Sequence, residues 1–125
     1  MKKILLFSLL LLSLTMFSQT TFVKKYNSMV AKKENIKQPW EEIDLTVVFN
    51  PNNSKEIVFY YSNGNTRTFY QTANAEEGKT KSGQEYQIVD CVDQDGTEVS
   101  IQLFDDNTCL RVIVAKGYTV EFYNN

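Results

Sequence analysis

The feature that constrains this chain most is the agreement between turns and faces in its last forty or so residues. From Tyr86 to Phe122 apolar and polar residues alternate with a period near two, the signature of half-buried strands. Asp93-Gln94-Asp95-Gly96-Thr97 has the composition of a type I turn with glycine in the left-handed position, a three-residue hairpin loop. That loop pairs Val89 with Ile101 and Cys91 with Val99. A corner at Asp106-Asn107 then pairs Leu103 with Leu110, Ile101 with Val112 and Val99 with Val114. Treating Ala115-Lys116-Gly117 like the first turn pairs Val114 with Tyr118, Val112 with Val120 and Leu110 with Phe122. One face across the four strands is then wholly apolar, while the other holds Asp90, Glu98, Ser100, Gln102, Arg111, Thr119 and Glu121. A one-residue slip would turn those polar groups inward, so three separate turns converge on one antiparallel meander.

Upstream the pattern continues. Ile43, Leu45, Val47 and Phe49 read as a strand ended by Asn50-Pro51-Asn52-Asn53. KEIVFYYS and NTRTFYQT flank Asn63-Gly64, a strong short-range hairpin signal. The polar stretch from Ala73 to Gly83 reads as the longest connection and as mobile. Before Pro39 the periodicity changes: Phe22, Val23, Tyr26, Met29 and Val30 fall on one helical face, with Lys24, Lys25 and Lys32 mostly off it. A short amphipathic helix from Thr21 to about Glu34 is the expectation, closed by the proline.

Residues Met1 to Ser18 have the pattern of a secretory signal peptide, with Lys2 and Lys3 before the uncharged run ILLFSLLLLSLTMF. As a helix that run reaches roughly 21 Å, short of the roughly 30 Å hydrocarbon core. The expected organisation is therefore a leader over 1–18, an amphipathic helix and linker over 19–41, and a β domain over 42–125. The expected location is secreted or periplasmic, with no membrane span once the leader is gone.

The expected fold is mainly β. About seven antiparallel strands form a meander that curls into a small barrel or half-barrel, with the N-terminal helix plugging one end or packing on one side. A two-layer arrangement of sheet and helix is the alternative.

Charge and composition exclude several function classes. Removing the leader takes two of the 13 basic residues and none of the 15 acids, so the net charge moves from −2 to −4. A mildly acidic body is not a nucleic-acid footprint, which needs a basic face. The lysines between Phe22 and Gln38 read as the solvated side of the helix. Histidine is absent, removing the commonest general base and metal ligand together. CVDQDGTEVSIQ overlays the middle of a calcium loop, but Cys91 and Gln102 stand where its anchoring ligands belong, and turn chemistry accounts for Asp93, Asp95 and Gly96. The carboxylate pairs Glu41-Glu42, Glu76-Glu77 and Asp105-Asp106 are neighbours in sequence rather than partners across a cleft. No zinc spacing, phosphate loop or serine elbow is present.

The meander's register places Cys91 on the apolar face and Cys109 on the polar one, roughly 17 Å apart along the sheet at strand rise. A bridge needs Cα atoms within roughly 7 Å. Two free thiols and no Cys91–Cys109 disulfide are expected.

What remains is an excess of aromatic residues in one hairpin. Phe59, Tyr60, Tyr61, Arg67, Phe69 and Tyr70 lie within twelve residues, and adjacent members point to opposite faces. Either both faces are buried, or one is an exposed platform of the Tyr and Arg type common at binding surfaces. The expected function is a small, monomeric, non-catalytic binding module, without cofactor or metal. It would hold an apolar small molecule in the barrel or a protein partner against this hairpin. The alternative is a structural or inhibitory envelope protein that docks by surface complementarity, or by adding its C-terminal strand, Tyr118 to Tyr123, to a partner's sheet.

Overall fold

The computed structural model describes residues 20–34, 36–105, 109–115 and 117–124. The leader, the Asp106-Asn107 corner and Lys116 of the third turn lie outside the described residues. Ten strands occur among those described: β1 (Phe22–Lys33), β2 (Ile36–Lys37), β3 (Glu41–Phe49), β4 (Glu56–Tyr61), β5 (Thr66–Gln71), β6 (Glu76–Lys79), β7 (Glu85–Asp93), β8 (Glu98–Phe104), β9 (Cys109–Ala115) and β10 (Tyr118–Tyr123). Eight of them pair in the order β1-β3-β4-β5-β7-β8-β9-β10, and β10 returns to β1, so the meander closes into an antiparallel barrel. Two short strands lie off the ring: β2 pairs with the end of β1, and β6 with the first half of β7.

The expected registers of the C-terminal meander hold. Val89 pairs with Ile101 and Cys91 with Val99; Leu103 pairs with Leu110, and Leu110 with Phe122. Gly96 has φ 84°, Gly96 N–H donates to the Asp93 carbonyl at 3.0 Å, and Asp93 N–H donates to that of Thr97 at 2.9 Å. The Asn63-Gly64 hairpin uses the same device, with Gly64 at φ 90° and Tyr61 N–H donating to the Asn65 carbonyl at 2.9 Å. One pairing differs. Tyr118 lies opposite Ala115 rather than Val114, and the register shifts between Tyr118 and Thr119.

The N-terminal segment is a strand, not a helix. Its register against β3 shifts between Tyr26 and Ser28, and Tyr26 and Met29, three residues apart, both pack into the core. Within a strand such a break in the alternation places apolar residues at the i, i+3 spacing of a helix. The deciding influence is tertiary: β1 lies between β3 and β10, which would both be bare edges without it.

The stretch from Ala73 to Gly83 is likewise more structured than its composition suggests. It contains β6, in which Gly78 lies opposite Tyr86 with the tyrosine ring over the glycine backbone. A small loop follows, held by Thr80 N–H donating to the Gln84 carbonyl at 2.9 Å.

The core fills the barrel from one end. Phe22 stacks on Phe49 with centroids 4.3 Å apart and planes 5° from parallel. Asn50, fully buried, ties the chain together there: its Nδ2 donates to the Thr20 carbonyl at 3.1 Å, and its Oδ1 accepts from Gln71 Nε2 at 2.8 Å. Leu45, Val47, Ile57, Val89, Ile101, Leu103 and Leu110 occupy the middle. Small eight-stranded barrels either fill their interior or hold one small ligand; this one is filled at the Asn50 end.

Candidate functional site

At the opposite end, where the loops after β4, β7 and β9 gather, the interior stays open. A cavity of about 320 Å³ lies there, lined by residues of β1, β4, β5, β7, β8, β9 and β10. Its floor is a cluster of three rings. Phe59 tilts against Phe69 with centroids 5.0 Å apart and meets Phe122 edge-to-face at 5.7 Å. Met29, Val99, Val112, Val114 and Val120 form the walls; Tyr61, Arg67, Thr97 and Tyr118 stand with them around the lining.

The strand period explains the lining. Phe59 and Tyr61 alternate with Tyr60, and Arg67 and Phe69 with Thr68 and Tyr70, so one face of the β4–β5 hairpin turns into the barrel. Of the six residues singled out by sequence, Phe59, Tyr61, Arg67 and Phe69 come together in the cavity. Tyr60 and Tyr70 point the other way and are exposed. Among the described residues no helix covers them, so the hairpin has a buried face and a wet one.

Six lining residues fall outside that hairpin and were assigned only to the apolar face of the meander: Val99, Val112, Val114, Tyr118, Val120 and Phe122. Met29, Asp93 and Thr97 had no place in a site. The signal for Asp93 was present but reads as turn chemistry, and it is turn chemistry: its Oδ1 accepts the N–H groups of Asp95 and Thr97, each at 2.9 Å. Its second oxygen, Oδ2, accepts from Arg67 Nη2 at 2.6 Å. The Asp93 side chain is wholly buried, whereas Arg67 remains about half exposed, at 48%. The hydrogen bond from Arg67, then those from the Thr97 and Asp95 backbone, hold the Asp93 carboxyl below the usual carboxylate range. Burial raises the Tyr61 hydroxyl, which therefore stays protonated and able to donate.

The other charged assembly lies on the polar face expected for the meander. Arg111 donates to Glu121 Oε2 from Nη2 and Nε at 2.7 and 3.0 Å and to Gln102 Oε1 at 3.1 Å, and Lys32 Nζ stands 3.6 Å from Glu121. The Arg111 guanidinium also covers Phe104 at 5.2 Å. This is a cross-strand ladder, since Gln102, Arg111 and Glu121 are register partners.

Cys91 faces the core; Cys109 is buried beside Tyr123, its register partner on β10. Burial first, and then the nearby Asp90 carboxylate, push the Cys91 thiol up to about 12. Among the described residues no three His, Cys, Asp or Glu side chains converge as a metal site. The C-terminal strand proposed for partner docking is paired on both sides, with β9 and with β1, so Tyr118–Tyr123 has no free edge to offer.

No protein family, curated protein or solved structure gives a significant match to the chain.

Proposed function

We propose that this protein is an exported, non-catalytic carrier that holds a small, mainly apolar molecule in the open end of its barrel. The supporting observation is the cavity itself: about 320 Å³, floored by three aromatic rings, walled by aliphatic side chains, with a short polar group at one side. Ligand sites run from roughly 300 to 1,000 Å³ and are mostly apolar with a few placed polar groups, so this one suits a small guest.

The chemistry of the lining favours holding over transforming. Asp93, the carboxylate in the cavity wall, has both oxygens engaged by Arg67 and by backbone N–H groups. Those hydrogen bonds also lower its pKa, which makes it a weak base at neutral pH, whereas a general base works best with a pKa near the operating pH. Export rests on the leader pattern of Met1 to Ser18.

Energetics set the expected affinity. Burying a ten-methylene chain at about 0.8 kcal/mol each yields ~8 kcal/mol gross. Association costs at least about 4 kcal/mol, so apolar burial alone gives dissociation constants of about 1 mM or weaker. Tighter binding requires the polar group at the rim.

Native mass spectrometry of the protein recovered from its own export route tests the reading, because refolding strips a bound guest. A reproducible adduct of a few hundred daltons is the expected result. A bare chain mass that persists after incubation with apolar amphiphiles would overturn it.

A second reading, docking of a protein partner by surface complementarity, draws on Trp40. It is 50% exposed, edge-on to Tyr123 at 5.1 Å, with Lys37 Nζ 4.9 Å from its ring centroid. Exposed Trp and Tyr are frequent anchors of interfaces. Loss of partner capture on Trp40→Ala, with the melting curve unchanged, would favour it.

A further inference from the structure

Resting on the carrier reading, we infer that the guest is an apolar monocarboxylate, with its acid group on Arg67 at the rim and its tail against the phenylalanine floor.

The argument begins with a count of donors and acceptors. Among the described residues Arg67 is the cation in the lining, and of its five N–H groups one goes to Asp93. Its partner is largely occupied: Asp93 is fully buried and accepts three hydrogen bonds, two of them from the turn backbone, out of about four acceptor sites. The carboxylate therefore orients the guanidinium rather than offering itself to a guest. Tyr61 and Tyr118 add hydroxyl groups to the same lining. Among the described residues, the polar side of the cavity is thus rich in donors, and its charged acceptor already takes three hydrogen bonds. A guest that complements it brings acceptors, preferably charged ones.

Geometry narrows the head group. The guanidinium is half exposed at the mouth and lies 5.8 Å over the Phe69 ring, which restrains its plane. A planar fork with free N–H groups matches a carboxylate in two parallel hydrogen bonds. Among the described residues two more charges stand on the inward register at the lip without lining the cavity, Lys33 opposite Tyr118 and Glu41 opposite Met29. They are of opposite sign and the Arg67–Asp93 pair is itself neutral, so the remaining N–H groups of Arg67, rather than net charge, set the local preference.

The depth sets the tail. From Arg67 to Phe69 is two residues along β5, and from Tyr118 to Phe122 is four along β10. At roughly 3.3 Å per residue the rim-to-floor distance is about 7 to 13 Å, room for a medium-length chain and not for a long one.

The test compares decanoate with 1-decanol, which share a tail and differ in the head, by displacement of a fluorescent apolar probe. Wild-type protein is expected to bind decanoate about tenfold more tightly, since a charge-assisted hydrogen bond is roughly twice as strong as a neutral one. The preference should shrink as ionic strength rises. Arg67→Gln should bring the ratio near one, and Arg67→Lys should retain part of it. Equal binding of both probes by the wild type would overturn the carboxylate inference and leave the carrier reading standing. Failure of both probes to bind would overturn the two together. The wild-type comparison needs no variant, so the inference stays testable even if Arg67→Gln folds poorly.

Discussion

Arg67 on β5 and Asp93 at the end of β7 meet at 2.6 Å across two neighbouring strands, and the pair joins a turn to a cavity. The same carboxylate that closes the Asp93–Thr97 hairpin also aims Arg67, the one cation of the cavity wall among the described residues. Strand pairing brings them close: Phe69 lies opposite Asp93, and Arg67 stands two residues further along the same face.

This relationship sets an acid limit on stability. The folded-state pKa of Asp93 is depressed, so its contribution is fully present above the unfolded value of about 3.9 and is lost as pH falls through the folded value. Thermal melts are expected to be flat around neutrality and to fall steeply below about pH 4. Asp93→Asn should melt lower at neutral pH and show a shallower acid limb. An unchanged acid limb in that variant would mean that other carboxylates govern the transition.

Phe59 anchors the ring cluster on the cavity floor and is 1% exposed. Phe59→Ala should cost about 3 to 5 kcal/mol in urea unfolding, because transfer and cavity terms add at a site that cannot collapse. A loss under 1 kcal/mol would show that the open end relaxes into the space.

The Tyr26 hydroxyl is buried with no hydrogen-bond partner among the described residues. Burying an unpaired hydroxyl costs about 1 to 3 kcal/mol, so Tyr26→Phe should leave stability unchanged or raise it by about 1 kcal/mol. A clear loss in the urea midpoint would reveal a partner, such as an enclosed water.

Cys91, buried and with its thiol pushed up to about 12, should react slowly with thiol reagents at pH near 8, where a free cysteine reacts readily. Denaturation without reductant is expected to release two titratable thiols. Finding none would establish a disulfide and overturn our reading of the cysteines.

Much of the barrel was legible because its determinants are local. Gly96 and Gly64 specify their loops through a left-handed backbone conformation, and the alternation around each loop then assigns every side chain to a face. The same reasoning picked out Phe59, Tyr61, Arg67 and Phe69 together, but could not tell their face from that of Tyr60 and Tyr70, since both contain aromatic residues.

The sequence by itself determined the meander from β7 to β10, its two faces and the Asp93–Thr97 hairpin, because turn residues and a period of two act over a few positions; the pairing of Tyr118 with Ala115 it missed. Only the tertiary structure decided that Phe22–Lys33 is a strand, that it joins β3 to β10, and that the barrel leaves one end open. Those outcomes depend on partners far away in the chain. Met29 lies opposite Phe122 only once the sheet has closed, and its spacing from Tyr26 looks helical until the register shift between them is known. The cavity follows from the same closure, since its lining comes from seven strands that no local pattern connects.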